Sequence, residues 1–596
     1  MCGIAGVVCV DGGAAAQMGR LQRASLAQAR RGPDGSGEWV SSTGTAAFVH
    51  RRLSIIDPSD AASQPMVSDD GKLAVVFNGE IYNHVQLRRQ LESEGRAFKT
   101  HSDTEVVLQM YRSRGSAMLR ELRGMFAIAI WDGRIGQLLL ARDTLGIKPL
   151  YYTRDARGFW FASQVKALQA AGVVSGDPEP AGHAGFFLWG YVPDPFTMYR
   201  GTMALEAGHV LTVDSRGTIK DAPFRTCGDI LRDSASVTND DAAATSAMAI
   251  ALRDSVEAHM VADVPVGVFL SAGLDSSLIA TLAAPVSEHP LRAVTLGFIE
   301  QAGGANDETA LAAEVAEVLH VEHVVSWIRA TDFQDARDDI LAAMDQPSVD
   351  GVNTYFVSRA AARSGLKVAL SGLGGDELLG GYASSARIPQ LVRSVRPFQR
   401  MGRSLRGLAA PWIGSAISPK WAGIVEYGGT WGGAYMLRRS LFMPWEVEGL
   451  IGGDMARAGL ETLATLPVLE AAADGIPAAR WKIAALEMEW YMRGQLLRDA
   501  DWAGMAHSLE IRVPFVDTML LEAVSRACPS GVGCTKPDAI GQLGQRLPAA
   551  VIERRKTGFA VPMGAWLDGP DRPVSRVAAG TRDWARRLYS RFWTDA

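Results

Sequence analysis

Val266-Gly267-Val268-Phe269-Leu270-Ser271-Ala272-Gly273-Leu274-Asp275-Ser276-Ser277 reads as a short buried strand that runs into a turn of small and hydroxyl residues. A helical stretch over 278–284 follows at once. Small residues at a strand-to-helix turn let backbone N–H groups approach an anion, and the helix N-terminus adds a favourable dipole. The hydroxyls of Ser271, Ser276 and Ser277 add donors. Asp275 repels phosphate and calls for a bridging divalent cation, Mg²⁺ being the natural one. Taken alone, the same residues read equally as an Asp/Ser cap on an ordinary helix.

A second loop of this kind lies downstream. The predicted strand 367–370 ends in Ser371-Gly372-Leu373-Gly374-Gly375-Asp376-Glu377. Between and around the two loops, Ala-rich helical stretches (242–260, 309–319, 354–364) alternate with short apolar strands (266–270, 291–296, 367–370). That order predicts a parallel α/β sheet with helices on both faces. Two Gly/Ser/Asp loops at the carboxyl ends of its strands predict a nucleotide site in the sheet's crevice. No G-x-x-x-x-G-K-[ST] occurs, which excludes a Walker-type loop. From about residue 384 the pattern is mainly helical.

Up to about residue 215 the texture differs. Alternating apolar runs at 73–77, 125–131, 137–142 and 159–162 predict an antiparallel β-rich layer, with a helix over 105–112. Polar sequence makes 216–241 the expected linker, which divides the chain into 1–215 and 242–596. The first part opens Met1-Cys2-Gly3-Ile4-Ala5-Gly6. Removal of Met1 would give Cys2 a thiol (about 8.5) and a free α-amine (about 7.7–8.0) of nearly matched pKa, a nucleophile with its own base. Asn78-Gly79 follows a predicted strand and offers two donors for an oxyanion. An amino-acid substrate also needs an arginine fork for its carboxylate and a carboxylate for its ammonium group, and the polar segments 50–56, 78–83 and 102–105 carry such residue types.

At 596 residues the chain exceeds a single core. Its net charge of −5 and 21% charged residues argue against nucleic-acid or membrane-surface partners. No apolar stretch reaches the ~18 residues of a membrane span, and the N-terminus lacks a basic region followed by an apolar one, so neither a span nor a signal peptide is expected. The five cysteines form neither a metal spacing nor an even framework, so a reducing, cytoplasmic setting is expected. His320 and His323 read as surface helix residues without a third metal ligand. Phe186-Phe187-Leu188-Trp189 reads as inter-domain core, and Trp421, Tyr427, Trp431 and Tyr435 as helix packing. Six arginines between Arg387 and Arg406 read as a solvated face.

The segments MCGIAGVV, RRGPDGSG, HRRLSIID, FNGEIYNH and SDTEVV resemble the class II glutamine amidotransferase domain, an N-terminal-nucleophile (αββα) fold. That resemblance implies Cys2 as nucleophile, Arg52 on the glutamine carboxylate, Glu80 and Asp103 around its amino end, and Asn78 with Gly79 as oxyanion hole. The run Arg142-Asp143-Thr144-Leu145-Gly146-Ile147-Lys148 also matches and reads as structural support. SAGLDSS, SGLGGDELLGGY, MAHSLEIRVPFVD (505–517) and RRKTGF (554–559) resemble the ATP-pyrophosphatase half of glutamine-hydrolysing asparagine synthetases. This implies ATP and Mg²⁺. Leu270, Ser271, Gly273, Asp275, Ser276, Leu296, Ser371 and Gly372 would then surround the nucleotide. Asp275 and Asp376 would hold the metal, and Lys556 would meet developing phosphate charge.

Three residues depart from the family's pattern. Ala272 replaces a usual glycine, which requires a negative φ there. Gln346 stands where glutamate is common. Leu373 stands where aspartate-using members usually carry an acid, so the acceptor carboxylate is open. Aspartate is the expected acceptor; another carboxylate in a polysaccharide or natural-product pathway is the alternative. Intramolecular ring closure, as in β-lactam synthetases or lasso-peptide cyclases, needs no ammonia, and the Cys2, Arg52, Asn78 and Asp103 set argues against it. The sugar-phosphate aminotransferases share the N-terminal domain but use no ATP. A non-catalytic interaction protein is the remote alternative. A second copy of the chain is the one macromolecular partner left open.

Overall fold

The computed structural model describes residues 2–234, 241–304, 306–401, 419–544, 546–554, 561–562, 566 and 577–594. Among these, the strands form three sheets. Two six-stranded sheets make up the N-terminal half. Gly3–Val8 lies inside the first, antiparallel to both Ala46–Arg52 and Phe159–Ala162. Leu73–Ile81 and Gly124–Asp132 pair along their whole lengths inside the second. Alternation along these strands sends one set of apolar residues between the sheets (Ile4, Phe48, Val76, Ala127, Phe161). The other set faces outward onto helices: Met18–Ala27 covers the first sheet, and His84–Ser93 with Asp103–Arg114 covers the second. The result is the expected αββα sandwich.

The third sheet is five-stranded and wholly parallel, in the order Glu322–Ile328, Arg292–Phe298, Val266–Phe269, Val368–Leu370, Glu510–Arg512. Three of these strands were anticipated. Glu322–Ile328 and Glu510–Arg512 were not, because neither carries a clean apolar run. His323 therefore sits in a strand, its Nε2 2.7 Å from Thr295 Oγ1, and His320 is the left-handed residue that ends the preceding helix. The two histidines do not share a helix face, contrary to the reading from spacing.

The region 216–241, read as a linker, holds a strand, Ile219–Pro223, and a helix, Cys227–Asp233, closed by a Thr226/Asp229 capping box. Polar flanks concealed both: the strand lies at a sheet edge and is exposed along its length, and the helix buries Cys227, Ile230 and Leu231 beneath a polar face. Cys528 and Cys534, expected free, are joined as a disulfide, while Cys2, Cys9 and Cys227 are free. Phe186 to Trp189 are buried, with Phe187 against Phe442 and Trp189 against Trp490 and Tyr435. Trp421 departs from the packing role expected of it and is 63% exposed. Much of the arginine-rich run after Arg396 lies outside the described residues. No described helix is long and apolar enough to cross a membrane.

Candidate active sites

Cys2 precedes the strand Gly3–Val8 and is buried. Its backbone nitrogen donates to Asn78 Oδ1 at 2.9 Å. Asn78 is fully buried in Leu73–Ile81, and its Nδ2 has no protein partner. A buried amide donor without an acceptor is costly unless a ligand supplies one. The same amide thus holds the nucleophile's nitrogen with one atom and keeps a donor free with the other. A Cβ on Gly79 would meet Met125 O at 2.0 Å, so only glycine lets the two strands close beside Asn78. Burial pushes the Cys2 thiol up; the charge of the chain's amino terminus and the Leu53 amide pull it down less strongly.

Arg52 Nη1 donates to Ser59 O at 2.8 Å and Nη2 to Asp57 O. Asp57 takes a left-handed φ of 47° and ties this loop outward: its carboxylate accepts from His101 N at 2.8 Å, and its amide donates to Asp263 Oδ2 at 2.7 Å. Asp103 is the first residue of its helix and accepts from Ile81 N at 3.1 Å; burial raises its pKa. Glu80 departs from the rest. Its side chain turns away to Arg512, 3.5 Å from Nη2. Burial first, then the neighbouring Glu510, pushes its pKa well up. Arg142 and Asp143 pin the turn that follows them: Asp143 accepts from the amides of Phe126, Leu145, Ile147 and Lys148, and Arg142 donates to three backbone carbonyls.

In the C-terminal half, Leu270, Ser271, Gly273, Asp275, Ser276, Leu296, Ser371 and Gly372 all line one cavity of about 300 Å³. Ser276 Oγ donates to Ser271 O at 2.6 Å and lies 3.0 Å from Ser271 Oγ, which folds the loop back over the start of the helix Leu274–Ala283. Left-handed φ outside glycine is confined, among the described residues, to Asp57, His320, Ala464, Ser508 and Cys534, so Ala272 satisfies the condition set by its side chain. Gln346 faces the N-terminal half: its Oε1 accepts from Met198 N at 3.0 Å, and Asp345 beside it accepts from Val165 N and Lys166 N. Both residues fasten the two halves together. Leu373 lines the cavity.

Asp275 and Asp376 converge on one cation, the Nζ of Lys536, which is 2.5 Å from Asp275 Oδ2 and also bonded to Asp376 Oδ1. A Cβ on Gly375 would meet Asp275 Oδ1 at 2.5 Å, so the second loop is cut back to admit that carboxylate. Two carboxylates aimed at a point already held by a cation are a hard-oxygen donor set that suits Mg²⁺. Lys556 lies outside the described residues.

Asn353, Thr354, Leu496, Ala500 and Ile511 also line the cavity and were missed. Only the quoted 505–517 motif pointed near any of them. Ile511 belongs to the strand Glu510–Arg512, whose alternation sends Ile511 to the cavity and its two neighbours to the Cys2 side. Arg512 Nε donates to Glu510 Oε1 at 2.6 Å. Burial would raise Glu510, but the amino terminus, Arg512 and Lys148 hold it at about 2. Likewise Ala500 faces the cavity while Asp501 binds Arg31. These two residues lie on a long helical rod whose middle, Glu487–Leu497, opens into wider i→i+5 turns. One strand and one helix thus form the wall between two sites.

A nitrogen-releasing half and a nucleotide-binding half, joined back to back, define a glutamine-dependent amidotransferase of the ATP-using kind. Residues 1–224 match the family described as Glutamine amidotransferase domain, and residues 247–589 match Asparagine synthase. A putative asparagine synthetase [glutamine-hydrolyzing] of Mycobacterium tuberculosis is 35% identical, over 95% of this chain and 88% of its own. Asparagine synthetase [glutamine-hydrolyzing] 1 of Bacillus subtilis is 32% identical, over 95% and 86%. Amidase chry2 of Gibberella zeae is 30% identical, over 59% and 54%. The chain belongs to the asparagine synthase family and is a ligase of its glutamine-hydrolysing type.

Proposed function

We propose that this protein hydrolyses glutamine at Cys2, passes the ammonia inside the molecule, and delivers it to a carboxylate activated by ATP as the acyl-adenylate. Residues 1–215 form the glutaminase half in this reading and 242–596 the synthetase half. The products are an amide, glutamate, AMP and pyrophosphate, with aspartate as the proposed acceptor and asparagine as the amide. The observation that carries the reading is the shared wall, where Ile511 and Ala500 face the nucleotide cavity and Glu510, Arg512 and Asp501 face the charges around Cys2.

With Met1 gone, the Cys2 amine stays on Asn78 Oδ1 and takes the thiol proton. The thiolate attacks the carboxamide carbon, and Asn78 Nδ2 with the Gly79 N–H receives the oxyanion. The amine returns the proton to the departing ammonia, and water then cleaves the thioester. Arg52 holds the loop at the substrate's carboxylate end, and Asp103 offers its charge to the substrate's ammonium, with Glu80 contributing through its backbone. A dry path keeps ammonia unprotonated on its way across the wall.

At the second site Ser271, Gly273 and Ser276 cradle pyrophosphate at the helix start, Leu270, Leu296, Ser371 and Gly372 flank the adenosine, and Lys556 meets developing phosphate charge. Mg²⁺, held by Asp275 and Asp376, would supply positive charge to the leaving pyrophosphate. Leu373 in the cavity wall supports a second reading, in which the same machinery acts on a different carboxylate.

Pyrophosphate release by purified protein with ATP, Mg²⁺ and glutamine, with and without aspartate, tests both. One asparagine per pyrophosphate supports the first. Glutaminase activity without aspartate-dependent pyrophosphate removes aspartate and leaves the second. Absence of both activities overturns the two-site reading.

A further inference from the structure

Lys536 occupies an unusual place. It is the first residue of the helix Lys536–Leu543, whose start is fixed by a Thr535/Asp538 capping box with Pro537 in the first turn. The backbone is therefore set, while four methylenes carry the ammonium to the junction of two separate loops. There Nζ meets both Asp275, from the first nucleotide loop, and Asp376, from the second. All three side chains are largely shielded from solvent, at 12%, 22% and 17% exposure, so bulk water and salt screen the cluster little. A Cβ on Gly381 would meet Asp376 Oδ1 at 1.8 Å and Lys536 Cε at 2.9 Å, so the chain is pared back on this side as well to let the three groups meet. Burial disfavours the charged lysine, but the two aspartates more than offset it, and the pKa is raised.

We propose that Lys536 is the resident counter-cation of the Asp275–Asp376 pair and cedes that place to a divalent metal only when nucleotide phosphates arrive with it. This rests on the nucleotide reading above. An ion held by both carboxylates cannot coexist with Nζ at the same point, because two cations would then lie closer than their hydration or repulsion allows. Metal alone must expel an ammonium from two charge-assisted bonds while bringing no new acceptor for it. Metal arriving with pyrophosphate oxygens gives the displaced ammonium new acceptors within reach of its flexible stem. Metal and nucleotide binding are therefore coupled through Lys536, and by linkage each raises the affinity of the other.

The test is Mn²⁺ binding to the full-length protein, read by the loss of the free-Mn²⁺ electron paramagnetic resonance signal, with and without α,β-methylene-ATP. Wild type should bind Mn²⁺ weakly without nucleotide. Lys536→Met should bind it at least tenfold more tightly, and that advantage should vanish when the analogue is present. Lys536→Gln serves as the second variant if Lys536→Met does not fold, as judged by circular dichroism. Unchanged nucleotide-free Mn²⁺ affinity in a folded Lys536 variant overturns the proposal. Adding Asp376→Asn to Lys536→Met should abolish the gain. If the gain survives it, the metal does not use this pair, and the nucleotide-site reading fails rather than the lysine exchange alone.

Discussion

Arg31 and Asp501 form a bidentate ion pair between the two halves of the molecule, Nη1 to Oδ2 at 2.6 Å and Nη2 to Oδ1 at 2.9 Å. The Nε of the same guanidinium donates to Cys2 O at 3.1 Å. One buried side chain therefore fixes the nucleophile's backbone to the helix that presents Ala500 to the nucleotide cavity. Arg31→Met leaves the Asp501 carboxylate buried without its partner and should cost about 3–5 kcal/mol. The double variant Arg31→Met/Asp501→Leu should regain most of that loss in urea unfolding, because it leaves no unpaired charge.

Cys2→Ala should abolish glutamate release from glutamine while pyrophosphate release with added ammonium continues. Loss of both in a folded protein would contradict independent sites.

Asn78→Asp keeps the Oδ1 acceptor but replaces the free Nδ2 donor with an oxygen. Glutaminase kcat should fall by about 10²–10³-fold, the usual cost of one oxyanion donor. Ammonium-dependent synthesis should be unaffected, and steady-state assays with each nitrogen source distinguish the two.

Asp263 reaches from the segment preceding Val266–Phe269 to the loop that Arg52 holds: its Oδ2 accepts from Asp57 N, and its own amide donates to Ile55 O at 3.0 Å. Asp263→Ala removes the side-chain bond and should raise KM for glutamine by about 5–10-fold, near the ~1 kcal/mol worth of one such bond. The ammonium-dependent rate should not move.

Burial keeps four histidines neutral: His50 is lowered to about 3, and His183, His259 and His507 to about 4. The unfolded chain binds protons at these residues below about 6.5 while the folded chain does not, so folding stability is fully present above that pH. It should fall as pH drops from 6.5 toward 4, by up to about 1.4 kcal/mol per pH unit for each histidine. Chemical denaturation across that window should show the slope. Replacing His259 with Asn should make it shallower, and an unchanged slope would contradict this assignment.

Much of this architecture is legible in the sequence. The runs at 73–77, 125–131 and 137–142 lie within or coincide with observed strands, because short continuous apolar runs suit strands buried on both faces. The strand–loop–helix at 266–284 was equally plain, since small residues there have a chemical purpose as well as a conformational one. What sequence alone misjudged was polar structure. The strand Ile219–Pro223 and the capped helix Cys227–Asp233 passed for a linker, and Glu322–Ile328 and Glu510–Arg512 were unseen. The resemblance implies Glu80 at the amino end of glutamine; the contact of its carboxylate with Arg512, 432 residues further along the chain, is one that no local pattern shows.

The sequence by itself determined the two chemistries and the residue types each requires, since motif and local spacing place donors, nucleophile and phosphate loops within single turns. Only the tertiary structure decided how the two are joined. It sends Ile511 to one site and Glu510 with Arg512 to the other, pairs Arg31 with Asp501, and puts Lys536 between Asp275 and Asp376. The ion pairs among them join segments 160 to 470 residues apart, and no local pattern encodes that choice.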